Sequence, residues 1–127
     1  MPLLFLIGRI LFGGFFFVSG ISHFKNAQGM SGYAASKHVP SPKAAIYVSG
    51  ALLVLGGAGV VFGIAPQWSL LCLVLFLVPT TFIMHQFWKE TDPMRRMPER
   101  INFMKNIALL GAVLMMFSFV VPWVASL

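Results

Sequence analysis

The sequence predicts an all-α membrane protein built as a bundle of four transmembrane helices. Of its 127 residues, 58% are hydrophobic and only 9% are charged, and the mean hydropathy is +0.87. Soluble domains of this length carry far more charge. Four apolar segments, at 3–24, 44–64, 68–88 and 104–126, each reach about the 20 residues that cross a hydrocarbon core. We therefore expect a single transmembrane domain over residues 1–127 and no second domain.

Basic residues gather on one side of this topology. The net charge is +6, and three basic residues lie in the first connection while five lie in or beside the third, which makes eight of the nine. The second connection, residues 65–67, carries none. By the positive-inside tendency, both charged connections are expected in the cytoplasm and both termini outside. Charges in these positions predict contacts with the bilayer and its anionic headgroups, and no binding of nucleic acid.

The first span is interpreted as an uncleaved helix, because no basic region precedes its apolar run. Residues at steps of four and three share one of its faces: Arg9, Gly13, Phe16, Gly20 and His23. The glycines on this face allow close approach of another helix. Two interpretations of Arg9 stay open, since its guanidinium either snorkels to the membrane interface or binds an anionic or carbonyl group between helices.

The connection over residues 26–42 is too polar to cross a membrane. Met30 and Tyr33 stand at helical spacing within it, which predicts a short amphipathic helix on the cytoplasmic surface. Pro40 and Pro42 are expected to end this helix and redirect the chain.

The second span carries a stripe of small residues at Ser49, Gly56, Gly59 and Gly63. Small residues at such spacing let helices pack closely in membranes, and most such motifs serve packing within one chain rather than dimerisation. We expect the stripe to pack against the first span.

The third span ends in the most polar part of the apolar sequence. Pro79 lies inside it and predicts a kink, with Thr80 or Thr81 bonding to the freed carbonyl group. Thr81, His85 and Trp88 share one face. In the segment that follows, residues 89–100, two prolines are expected to prevent a long helix, so we interpret it as a solvated cytoplasmic loop and start the fourth helix near residue 100.

Polar side chains at the cytoplasmic ends of three spans form a candidate binding site, because antiparallel packing brings them to similar depth. We list as candidate ligand-binding residues Arg9, His23, Lys25, Thr81, His85, Trp88, Asn102, Lys105 and Asn106. An imidazole, two amides and ammonium groups around an apolar space suit a carbonyl-bearing ligand such as a quinone head, with His85 donating or relaying a proton. The same groups equally suit a lipid headgroup, or simply hold three helices in register.

Several kinds of chemistry are excluded by the same residues. No carboxylate stands within a span, which disfavours a proton-coupled exporter. The three histidines lack carboxylate or thiolate neighbours in the sequence, so we expect no metal site, and we assign no catalytic residue. Nothing in the chain suggests an intrinsic cofactor, so any redox chemistry needs a centre from a partner redox protein or a diffusible carrier.

Four stretches form a recognisable pattern: GRILFGGFFFVSGISHFKN, YVSGALLVLGG, PTTFIMHQFW and FMKNIALLGAVL. In spacing as well as residues they resemble the DoxX family of small bacterial membrane proteins, over nearly the whole chain. The resemblance implies a four-helix bundle in the bacterial inner membrane. The family is named after the small subunit of a thiosulfate:quinone oxidoreductase, and other members are associated with redox assemblies and detoxification. Distant relatives look like eukaryotic cargo receptors and receptor chaperones.

The resemblance also implies which residues matter. The family pattern falls on Arg9, Gly13, Gly20, Lys25, Gly50, Gly56, Gly57, His85, Phe87, Trp88, Lys105, Asn106 and Gly111. Many relatives place a glutamate in the second span shortly before the double glycine, where this sequence has the apolar residues 51–55. An acid–base pair between that position and the first span is therefore absent.

Two functions follow as hypotheses. The first is a membrane subunit of a redox or detoxification system that binds a quinone or similar lipophilic molecule near the cytoplasmic side. If it is enzymatic, it is a quinone-linked oxidoreductase subunit without its own redox centre. The second is a non-catalytic scaffold, chaperone or cargo-type adaptor. A partner redox protein and a homo-oligomer both remain open as partners.

Overall fold

The computed structural model describes residues 2–119 and 123. In this part of the chain the protein consists of helices joined by short connections. Its elements are α1 (Pro2–Lys25), α2 (Ala27–Ser36), α3 (Pro42–Phe62), α4 (Pro66–Met84), a 3-10 turn (Phe87–Lys89) and α5 (Pro93–Met116). No strand occurs in residues 2–119, so the predicted all-α class is confirmed. Three stretches are long and apolar enough to cross a membrane: Leu3–Lys25, Pro42–Phe62 and Pro66–Lys89. Part of the fourth predicted span, 104–126, lies outside the described residues.

Proline marks the start of the last three helices, at Pro42, Pro66 and Pro93. Proline suits the first helical position because it has no N–H to satisfy there and its φ is already helical. At α5, Asp92 adds a side-chain cap, since its carboxylate accepts a hydrogen bond of 3.0 Å from the N–H of Met94. The sequence contains its own start signal for α5.

The prediction of a loop over residues 89–100 is therefore wrong for residues 93–100, which are helical. Helix α5 begins at Pro93, about two turns before the expected start near residue 100. Pro98 does not break the helix, because the only carbonyl group that it leaves without an N–H partner belongs to Met94. Met94 is 82% exposed in the first turn, where water can bond to its carbonyl group.

Helices α3 and α4 form a tight antiparallel hairpin. Gly63 has φ 68°, a left-handed conformation that glycine adopts at little cost, and Ile64 donates its N–H to Gly59 O at 2.9 Å. The hydroxyl of Ser69 in the first turn of α4 donates to Ile64 O at 2.8 Å. These bonds fix the angle at which α4 leaves the turn.

Glycines bring the backbones of α1 and α3 into contact. A Cβ atom on Gly13 would lie 2.6 Å from Gly57 O, and one on Gly20 would lie 2.8 Å from Gly50 O. No side chain fits at these distances, so only glycine permits this crossing. The expected pairing of the first two spans is confirmed.

The glycines that meet α1 are not those of the predicted stripe. Gly56 and Gly59 face α4 instead, where a Cβ on Gly56 would lie 2.8 Å from the side chain of Leu73 and one on Gly59 would collide with Ser69. Helix α3 thus carries two glycine faces. It stands between α1 and α4 and packs closely against both.

The core lies along these contacts, and one side of the bundle stays open. Buried side chains of the four long helices meet around α3, among them Phe16, Leu53, Leu73 and Val113. The helix pairs with extensive backbone packing are α1–α3, α3–α4, α4–α5 and α2–α3. In the described residues α1 and α5 are not such a pair, so space remains between them.

We expect Gly13→Ala to destabilise the protein, because the new methyl group would meet Gly57 O at 2.6 Å. The cost of such overpacking is about 1–3 kcal/mol. The matched control is Gly14→Ala on the same helix, where a Cβ would meet nothing within 4 Å. Thermal unfolding in detergent checks both variants, and equal midpoints would contradict the close crossing.

Candidate functional site

A cavity of about 560 Å³ lies in the half of the bundle next to α2. The C-terminal halves of α1 and α4, the N-terminal half of α3, and residues 102–109 of α5 form its walls, and α2 covers one end. Its deepest lining includes Phe16 and Leu53 from the buried core. Most of the lining is apolar, and the polar groups come from a few side chains.

Five of the nine candidate residues line this one cavity: His23, His85, Asn102, Lys105 and Asn106. They come from α1, from the end of α4 and from α5, which the sequence separates by up to 83 positions. The fold therefore brings together the groups that the sequence analysis placed at a common depth.

Two other candidates lie beside the cavity without lining it. Lys25 is exposed at the end of α1. Trp88 is 48% exposed and packs edge-on against Phe103 of α5, with ring centroids 5.5 Å apart. Both therefore lie at the surface of the bundle.

Thr81 is buried within α4, and its hydroxyl has no hydrogen-bond partner in the described residues. The prediction that Thr80 or Thr81 would bond to the carbonyl group freed by Pro79 is therefore wrong for Thr81, and the described residues contain no side-chain hydrogen bond of Thr80 either. Thr81 does not line the cavity, although Thr80 does.

Arg9 lies outside the cavity, and its side chain is buried at 1% exposure. Its guanidinium donates to Val60 O at 3.1 Å and to Val61 O at 2.9 Å, and it stands over the rings of Phe5 and Trp123. The carbonyl groups of the last helical turn have no partner within α3, and a cation is favoured at that end. Arg9 therefore caps α3 from α1, which favours the interpretation that it binds carbonyl groups between helices.

His23 has a fixed orientation. Its Nδ1 lies 2.7 Å from Ser19 O one turn earlier, and its ring meets Phe76 of α4 edge-on at 5.9 Å. A carbonyl oxygen only accepts, so Nδ1 carries the proton in this bond. The other ring nitrogen, Nε2, makes no hydrogen bond within the described part of the chain.

The α5 wall of the cavity carries donors. Asn106 is only 6% exposed, yet its amide forms no hydrogen bond among residues 2–119. Asn102 stands one turn earlier, and Lys105 places its ammonium group 5.7 Å from the ring centroid of Phe15 on α1. A buried amide without a partner costs free energy unless a ligand or water bonds to it.

A buried carboxylate on α5, Glu99, joins three elements at the mouth of the cavity. It accepts a hydrogen bond of 2.7 Å from the Tyr33 hydroxyl of α2. It also forms an ion pair with Lys37, whose Nζ lies 3.0 Å from Oε2 of Glu99. Its Oε1 also stands 3.5 Å from Nδ1 of His85. Glu99 thus holds α2 over the cavity and lies next to one of its polar residues.

The protonation states of Glu99 and Tyr33 follow from their contacts. Both residues lie outside the three candidate membrane spans. Burial opposes ionisation of Glu99, but the hydrogen bonds from Tyr33 and Lys37 outweigh it, and the pKa of Glu99 lies below its ordinary value. Burial and the bond to Glu99 raise the pKa of Tyr33, so its hydroxyl stays protonated. The carboxylate is therefore ionised and the phenol donates to it.

Sequence reasoning missed this cluster. Glu99 was assigned to a solvated loop together with its basic neighbours, because prolines stand on either side of it. The helical spacing of Glu99, Asn102 and Asn106 was the available signal, since steps of three and four place them on one face of α5. Recognising Pro93 as a helix start would have placed Glu99 on this face, although it would not have revealed the bonds to Tyr33 and Lys37.

The family model described as DoxX matches residues 4–86 of this chain. The chain belongs to the DoxX family. The matched range covers α1 to α4 and therefore Arg9, His23 and His85. It stops before α5, so the DoxX match does not include the donors of that helix.

A curated relative is similar to this chain over most of its length. The chain is 28% identical, over 115 residues, to the inner membrane protein YphA of Escherichia coli (strain K12). The alignment covers 91% of this chain and 81% of that protein. No solved structure matches this DoxX protein.

Metal binding finds no support in the described part of this DoxX protein. Residues 2–119 contain no group of three or more His, Cys, Asp or Glu side chains placed to hold an ion. The cavity offers hydrogen-bond donors and acceptors in an apolar setting, which can orient a neutral ligand with a polar head.

We expect Glu99→Gln to lower the thermal midpoint by about 3–6 °C at pH 7.5, because the variant keeps an acceptor for Tyr33 but loses the charge that faces Lys37. Since the folded pKa is lowered, ionised Glu99 stabilises the protein above the ordinary value of 4.5. That stability is lost as the pH falls through the folded pKa. The gap between variant and wild type should therefore shrink below pH 4.5.

Glu90→Gln is the matched control, because Glu90 meets the same Lys37 at a longer 3.4 Å and is more exposed. Its effect should be smaller at every pH. A gap for Glu99→Gln that stays constant from pH 8 to pH 4 would contradict the ionised cluster.

Proposed function

We propose that this DoxX-family membrane protein binds a lipophilic molecule with an oxygen-bearing head, of the quinone class, in the cavity between α1, α4 and α5. The observation that supports this most is Asn106, a residue only 6% exposed that lines an apolar cavity and whose amide has no partner among residues 2–119. Small-molecule sites enclose about 300–1,000 Å³ and combine apolar walls with a few placed polar groups. The volume of about 560 Å³ falls in this range.

The polar groups suit the head of such a ligand. Asn102 and Asn106 supply amide N–H donors and Lys105 an ammonium group, all on one wall. A ring carbonyl accepts from these groups, while the rest of the ring lies against Phe15 and Phe76. The lipophilic tail has an apolar route, because the surrounding helix faces carry exposed hydrophobic side chains.

We infer the following membrane topology. Helix α5 continues as a fourth span, and both charged connections lie in the cytoplasm with the termini outside. Exposed Arg95, Arg96 and Arg100 support this side for the start of α5, where they would meet anionic headgroups. Helix α2 then lies on the cytoplasmic surface. The name of the E. coli relative supports the inner membrane as the location.

In this arrangement the chain acts as a membrane subunit of a redox or detoxification system. It would hold the quinone, while a partner protein would supply the redox centre. The donors on α5 fix the orientation of the ring, and α2 shields the cavity from the cytoplasm through Tyr33 and Lys37.

The test is equilibrium binding of decylubiquinone to the purified protein in lipid nanodiscs. We expect Asn106→Leu to weaken binding roughly threefold to tenfold, because the variant keeps the branched shape of the side chain and loses its hydrogen bond to the ligand. The control is Asn26→Leu, since Asn26 is exposed, makes no side-chain cap bond and lies outside the cavity.

Equal affinities for the two variants, or binding of neither decylubiquinone nor its reduced form to the wild type, would contradict the proposal. The second candidate function, a membrane adaptor for an acidic protein partner, would then be favoured. Its specific support is the exposed first part of α5, where Met94 and Met97 are 82% and 68% exposed beside Arg95 and Arg96. Exposed methionines are common on adaptable binding surfaces.

A further inference from the structure

The two histidines of the cavity are both held by their Nδ1 atoms. For His23 the partner is Ser19 O at 2.7 Å, and for His85 it is Oε1 of Glu99 at 3.5 Å. Both partners are acceptors, so each Nδ1 carries a proton. In a neutral imidazole the remaining nitrogen, Nε2, has a lone pair and no proton. Each neutral ring therefore offers an acceptor to its surroundings.

The opposite wall offers mainly donors. Lys105 has three N–H donors and no acceptor, and the amide groups of Asn102 and Asn106 each have two N–H donors beside one carbonyl acceptor. Neither amide bonds to another group in residues 2–119. The cavity is therefore polarised: neutral His23 and His85 offer only acceptors through Nε2, whereas α5 offers mainly donors.

A polarised cavity distinguishes oxygen groups that carry a proton from those that do not. A ring carbonyl accepts from α5 but has nothing to donate to His23 or His85. A ring hydroxyl donates a hydrogen bond to Nε2 and can still accept one from Asn106. An acceptor that faces another acceptor loses its bond to water and gains none, which costs about 1–3 kcal/mol.

We propose that the cavity prefers a hydroxylated ring, either a quinol or a phenol, over the oxidised quinone. The inference rests on the proposed function, since it names the form of the ligand that the same cavity selects. Glu99 is a positioning residue in this account, because Tyr33 and Lys37 fix its carboxylate beside Nδ1 of His85. No covalent or redox step is involved.

The experiment compares pairs of ligands in which one member has a hydroxyl group on the ring and the other has an oxygen without a proton at the same position. Binding to wild-type protein in nanodiscs at pH 8 is measured for decylubiquinol under reducing, anaerobic conditions and for decylubiquinone. A second pair is 4-nonylphenol and its methyl ether, which lacks the donor. We expect each hydroxylated ligand to bind about fivefold or more tightly than its partner.

A variant identifies the acceptor. His23→Phe keeps an aromatic ring against Phe76 but removes Nε2, so the preference for the hydroxyl should fall at least about threefold. His38→Asn is the control, because His38 lies outside the cavity and its φ of 63° suits asparagine. The ligand comparison on the wild type stands even if a variant fails to fold.

The outcomes separate this inference from the proposed function. If decylubiquinone binds as tightly as decylubiquinol, and the methyl ether as tightly as the phenol, the inference is overturned while quinone binding stands. If none of the four ligands binds, the proposed function itself is overturned. Tight binding of the phenol with weak binding of the quinol would support recognition of a hydroxyl and assign it to a non-quinoid ligand.

Discussion

Direct contact between the backbones of α1 and α3 determines where space remains in this bundle. Gly13 and Gly20 meet Gly57 and Gly50 so closely that neither helix can shift without losing the contact. With α4 packed on the second glycine face of α3, three helices form a compact unit. Helix α5 packs on α4 and leaves a gap towards α1. The cavity is therefore a consequence of close packing elsewhere, and its walls are held by contacts outside the ligand site.

The sequence predicted the parts of the structure that depend on local pattern. Hydropathy located the helices because a span must satisfy its backbone internally. Steps of three and four placed Gly13, Gly20 and His23 on one face of α1. Antiparallel order then placed His23, His85 and Asn106 at a similar depth, and the structure brings these three to one cavity. The prediction of a binding site followed from the types of these residues and from their expected depth in the membrane.

The parts that the sequence did not predict depend on partners far apart in the chain. Tyr33 bonds to Glu99 across 66 positions, and Arg9 bonds to Val60 O across 51. No periodicity encodes such pairs. Charged residues beside a span look like topology signals whether or not they are buried. An arginine in a span can reach the interface or bond to groups of a neighbouring helix, and the sequence does not distinguish the two. Their roles became visible only when the ends of helices α3 and α5 were located.

Photoaffinity labelling can show directly whether the cavity between α1, α4 and α5 holds a lipophilic ring. A diazirine analogue of decylubiquinone is irradiated with the protein in nanodiscs, and the labelled peptides are identified by mass spectrometry. We expect labels within residues 15–23, 75–85 and 102–109, and we expect excess decylubiquinone to abolish these labels. Labels confined to exposed positions outside the cavity, such as Leu55 and Leu114, or labels that excess ligand leaves unchanged, would contradict it.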